Sequence, residues 1–108
     1  MNTTRSHDWI DRRSLALAQA AGAKVARDPK LLEVARDNLL RWKATLGCWP
    51  ADLQEWEQIL AEGVGAALGR LTEDTPRGRR LRQSSPFAGV LTPQERQAIF
   101  DRYESSAA

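Results

Sequence analysis

Histidine and cysteine each occur once in this 108-residue chain, as His7 and Cys48. A single cysteine excludes an intramolecular disulfide, and with no second thiol or neighbouring histidine it leaves a zinc ion without a ligand set. His7, beside Asp8 near the chain start, has no nucleophile or second base at a useful spacing, so no histidine-based acid–base catalysis is expected. Phenylalanine and tyrosine are scarce too, and the 6% aromatic content is mostly Trp9, Trp42, Trp49 and Trp56. These four are expected to anchor the core. No apolar run approaches the roughly 20 residues of a membrane-spanning helix, and no lipidation signal is present. The N-terminus lacks the basic-then-apolar layout of a secretory signal. A cytoplasmic protein with no membrane association is expected.

What the chain does have is amphipathic helix. No stretch alternates apolar and polar residues as a strand does. The spacing predicts an all-α fold, a compact bundle of about five helices in which three longer N-terminal helices precede two short C-terminal ones. Residues 8–103 are expected to form one domain, with a flexible N-terminus over residues 1–7 and a frayed C-terminus over 104–108. A first helix from about Asp8 to Arg27 carries a ragged apolar stripe of Ile10, Leu15, Leu17, Ala18, Ala21 and Val25. Asp28-Pro29 stops it and starts the next, since proline is tolerated at a first helical position. There Leu32, Ala35, Leu39, Trp42 and Leu46 share one face in a helix ending near Gly47.

After the break at Gly47-Cys-Trp-Pro50, a third helix turns Leu53, Trp56, Ile59 or Leu60, Val64, Ala67 and Leu71 inward. Gly63, Gly65 and Gly69 weaken its second half, so it is expected to end or bend early, unless the small residues there admit another backbone. Thr72-Glu-Asp-Thr-Pro76 introduces a short arginine-rich helix to about Ser84. Residues 84–91 form a loop, and Thr92-Pro-Gln-Glu95 is a capping box opening a last helix to about Tyr103.

The net charge is only +2, but it is unevenly placed: residues 77–108 hold six basic and three acidic side chains. Arg77, Arg79, Arg80 and Arg82 define a broad charged surface flanking an inward Leu81, followed by the hydrogen-bonding groups of Gln83, Ser84 and Ser85. Such a cluster suits a phosphate or a carboxylate-rich partner, or serves as a solvated helix face. A DNA-reading helix pair with a short turn is indistinct here, so nucleic acid is a secondary partner. Phe87 reads as a packing residue of the loop. Glu55, Glu57, Glu62, Glu73 and Asp74 show no spacing that selects an acid and a base, and Gly63-x-Gly65 neither follows a strand nor precedes a phosphate-binding signature. No catalytic residue, metal ligand or cofactor is expected.

The block Leu81-Arg-Gln-Ser-Ser-Pro-Phe-Ala-Gly-Val-Leu-Thr-Pro-Gln-Glu-Arg96, with Leu39-Leu-Arg-Trp42 and Leu53-Gln-Glu-Trp56 before it, resembles a group of small all-helical bacterial proteins connected with toxin–antitoxin gene pairs. The resemblance implies an antitoxin that binds and neutralises a cognate toxin, and it brings no residue roles with it. On that expectation Arg77, Arg79, Arg80, Arg82, Gln83, Ser84, Ser85 and Phe87 form the partner-binding surface. A DNA-binding regulator using the Arg77–Arg82 helix is the alternative. The oligomeric state is left open.

Overall fold

The computed structural model describes the backbone of residues 2–107 and the side chains of residues 9–103. The expectations of flexibility over residues 1–7 and fraying over 104–108 lie outside the residues with described side chains, as does His7. The described residues form six α-helices and no strand: α1 Asn2–Arg27, α2 Leu32–Thr45, α3 Ala51–Ala61, α4 Val64–Leu71, α5 Pro76–Gln83 and α6 Pro93–Ala107. A 3₁₀ turn, Pro29–Leu31, leads into α2, with Pro29 at its first position and no capping bond from the Asp28 side chain. The all-α class stands, whereas the helix number and the order of lengths are corrected.

The first correction falls at Gly63, where the expected third helix divides into α3 and α4. The Glu62 amide closes α3 on the carbonyls of Gln58 (3.2 Å) and Ile59 (3.1 Å), and the Gly63 carbonyl opens α4 by accepting from the Ala67 amide at 3.1 Å. Gly63 makes the turn at φ +112° and ψ −178°, a combination essentially confined to glycine. Gly65 and Gly69 face open space, so no neighbouring backbone is admitted there. The second correction is that α6 is not short. It runs 15 residues against 14 in α2, since no glycine or proline follows Pro93 to stop it.

One core joins Ala18, Ala21 and Val25 of α1 to Leu32, Ala35 and Leu39 of α2, to Leu53, Trp56, Ile59 and Leu60 of α3, and to Ala67, Leu71, Leu81, Phe87 and Val90. Both Ile59 and Leu60 are buried. The four tryptophans do not contribute equally. Trp56 is fully buried and donates its indole N–H to the Leu81 carbonyl at 2.8 Å. Trp42 and Trp49 pack on the core from its edge. Trp9 is half-buried and ties α1 to the Tyr103 carbonyl at 3.0 Å. Two expected core positions lie at the surface, Ile10 and Leu46, each 46% exposed. Leu46 leaves the apolar face because α2 stops at Thr45 and Leu46 is extended, with ψ 138°.

α5 rests on α1, α3 and α4, and two devices set its position. Thr75 caps it, accepting the Gly78 amide at 3.0 Å. Gly78 is required by close approach: a Cβ there would sit 1.9 Å from the Glu73 carbonyl oxygen. The capping box of α6 forms as expected, with the Thr92 amide donating to Glu95 Oε1 (2.7 Å) and the Glu95 amide to Thr92 Oγ1 (3.1 Å).

Candidate binding site at the arginine-rich corner

The four arginines of α5 do not present one broad charged surface. They point three ways. Arg77 and Arg80 lie three apart on α5 and meet Asp52 and Glu55, which lie three apart on α3. Arg77 reaches Glu55 Oε2 through Nε (2.9 Å) and Nη2 (2.6 Å). Arg80 pairs with Asp52 and donates Nη2 to Glu55 Oε1 at 3.1 Å. The Arg77 hydrogen bond holds the Glu55 carboxyl below the usual carboxylate range against partial desolvation, with Arg80 helping, while Glu55 and then Asp52 raise Arg80. Arg79 turns to α1, where Asp11 lies 4.0 Å away.

Arg82 goes under the helix. Its Nη1 donates to the carbonyls of Glu73 (2.7 Å) and Leu71 (3.3 Å). Among the described residues it has no carboxylate within ion-pair distance, and burial pushes its pKa down. Asp74, Asp11 and Glu73 act on it only through space and offset part of that burial, so among the described residues it is the guanidinium of the cluster that makes no ion pair.

The rest of the sequence-derived set lies in the α5–α6 connection. Gln83 is exposed. Ser84 Oγ donates to the Leu81 carbonyl at 3.4 Å, and Ser85 Oγ accepts the Phe87 amide at 3.2 Å. Phe87 is buried edge-on against Trp56, with ring centroids 5.7 Å apart. The loop then turns back at Gly89, φ +92°, with the Val90 amide bonded to the Phe87 carbonyl at 3.1 Å.

What holds this loop was not legible as a site residue. Asn38 of α2, the buried polar side chain of the core, donates Nδ2 to the carbonyls of Pro86 (2.7 Å) and Ala88 (2.8 Å) and accepts from Arg41. The available signal was an amide placed within the apolar face that Ala35, Leu39 and Trp42 define.

Between α1 and the loop lies a cavity of about 220 Å³. Leu17, Ala18, Ala21, Leu71 and Phe87 make its apolar part, and Ser14, Arg82, Ser85 and Arg96 its polar part. Arg82, Ser85 and Phe87 are thus brought together from the expected set. Arg77, Arg79, Arg80, Gln83 and Ser84 are not in the lining. Ser14 and Arg96 were missed, because an isolated serine and a first-turn arginine carry no periodic signal. Among the described residues Arg96 makes no ion pair either, and its described contact is with the Phe100 ring, 5.7 Å from the centroid. Arg13 lies over the same ring at 4.8 Å and over Trp9 at 4.7 Å, a cation–π packing that joins α1 to α6.

Among the described residues no three histidine, cysteine, aspartate or glutamate side chains gather around a common point. Cys48 is exposed. No described helix is long and apolar enough to cross a membrane. Comparison with known protein families, with curated proteins and with solved structures finds no match.

Proposed function

We propose that this chain is a non-catalytic module that binds a partner protein, and that the partner docks at the cavity between α1 and the 84–92 loop. The observation that carries this reading is that two guanidiniums with no ion pair among the described residues, Arg82 and Arg96, line one largely apolar cavity. Buried anchors flanked by charge are how a small interface concentrates its affinity. The size supports a side chain as occupant. Pockets for whole small molecules run from about 300 Å³ upward, whereas an apolar space of roughly 150 Å³ takes a benzene-sized group.

The resemblance of the 81–96 block points to a cognate toxin as that partner, neutralised by occlusion of its working surface. A cytoplasmic setting fits the exposed, unpaired thiol of Cys48. The internal pairing of Arg77 and Arg80 favours a protein partner over duplex DNA, because two of the cations a DNA-reading helix needs already face carboxylates.

The test is recovery of the partner from the native host with tagged chains. We expect Arg96→Glu and Ser14→Phe to lose it and the remote Lys30→Glu to keep it. Loss with Arg80→Glu but not with Arg96→Glu would move the interface to the outer face of α5. Unaltered recovery from both cavity variants, together with salt-sensitive binding of duplex DNA, would favour the regulator instead.

A further inference from the structure

We infer that the cavity is a receptor for a polypeptide's free C-terminus, with the last residue's apolar side chain seated on Leu17, Leu71 and Phe87 and its carboxylate held by Arg82 and Arg96. This rests on the docking site proposed above and names what the partner places there. The charge balance of the corner supplies the first reason. Arg77 and Arg80 have their carboxylates within the chain, at Glu55 and Asp52, but Arg82 donates through one nitrogen to neutral carbonyls, with Asp74, Asp11 and Glu73 acting on it only at longer range and no ion pair among the described residues. A guanidinium has five N–H donors in a planar fork, so Nε and Nη2 of Arg82 remain for an anion. Arg96 brings a second fork from the first turn of α6.

The second reason is size. A cavity of about 220 Å³ takes one residue, not two. An acidic side chain within a partner's chain would need an apolar neighbour to fill the floor and an exit for the chain in both directions. At a C-terminus the carboxylate and the side chain leave the same Cα, so a single residue meets both the arginines and the apolar wall. Carboxylate capture of this kind is a known mode of peptide recognition. The wall that receives it is already braced, since Asn38 holds the carbonyls of Pro86 and Ala88. Little ordering is therefore left to oppose binding.

The experiment is a titration of the full chain, followed by amide chemical shifts of Ser85, Phe87 and Gly89, with N-acetylated Gly-Ser-Gly-Leu as the free acid, the same peptide as its C-terminal amide, and hexanoate. We expect saturable shifts with the acid, and about ten- to a hundredfold weaker binding of the amide, the range of a charged hydrogen bond. Because this comparison uses the unaltered chain, it does not depend on any variant folding. Arg96→Glu, at an exposed position, should weaken the acid by at least about tenfold, and Lys30→Glu should not.

Equal binding of acid and amide, hexanoate binding as tightly as the acid peptide, or no saturable shift up to about 10 mM would each overturn the inference. The two proposals fail separately. A chain that binds the acid peptide but whose Arg96→Glu form still recovers the native partner keeps the carboxylate receptor and loses the docking reading. A chain that ignores the peptide yet loses its partner on Arg96→Glu does the reverse.

Discussion

Removing the Asn38 side chain should destabilise the protein out of proportion to its size, because two carbonyls of the 84–92 loop depend on it. In Asn38→Ala the hydrogen bonds to Pro86 (2.7 Å) and Ala88 (2.8 Å) are lost, each worth about 0.5–1.5 kcal/mol net. Ala88 is exposed and its carbonyl can turn to water. Pro86 is fully buried, so its carbonyl is left unsatisfied, at about 1–3 kcal/mol. Allowing for overlap between these terms, the loss comes to about 2–4 kcal/mol. For a domain of this size that lowers Tm by roughly 10–25 °C. Asn38→Asp is the sharper variant: it keeps an acceptor for Arg41 but turns a charged oxygen toward the two carbonyls, and should be worse than alanine at neutral pH. Denaturant titration measures the loss, and hydrogen exchange should show residues 86–90 losing protection before the helices. A loss under about 1 kcal/mol for Asn38→Ala would refute the assignment of this amide as the loop's clamp.

Three glycine substitutions should differ in sign. Gly78→Ala drives a methyl into the Glu73 backbone and should cost about 3 kcal/mol or more; Gly63→Ala meets no atom but strains φ +112°, about 1–3 kcal/mol; Gly69→Ala, in open helix, should stabilise by about 0.5–1 kcal/mol. Thermal melts of the three suffice. Lys24, with help from Thr92, holds the Glu95 carboxyl down at about 2 from an ordinary 4.5. A depressed folded-state pKa means its stabilisation is present above pH 4.5 and is lost as the pH falls toward 2. Glu95→Gln keeps a capping-box residue but removes the pair, so its stability should vary less with pH across that window; a curve parallel to the wild type would count against the pairing. Trp56→Phe removes the indole donor from the Leu81 carbonyl, which keeps the Ser84 amide and hydroxyl, and opens space beside Phe87, for a loss of about 1–3 kcal/mol in denaturant titration.

By itself the sequence determined the elements whose causes are local. Apolar residues at helical spacing placed the helices, Pro29, Pro76 and Pro93 their starts, and Thr92-Pro-Gln-Glu95 its capping box. It marked Gly63 as a weak point but did not say that the chain would turn there, because a glycine's φ is chosen by what the flanking helices must pack against. The site followed the same division. Arginine content was legible, but whether each guanidinium faces a carboxylate, a carbonyl or a cavity depends on residues 9 to 68 positions away, such as Asp52 and Glu55 for Arg80, Glu73 for Arg82, and Asp11 for Arg79. Charges interact through space, so the chain order of the 77–82 cluster could not separate the arginines that brace the fold from the one that lines the cavity. Only the packing of α5 between α1 and α3, and the Asn38 clamp beneath the loop, decided that Arg82 and Arg96 would line one cavity.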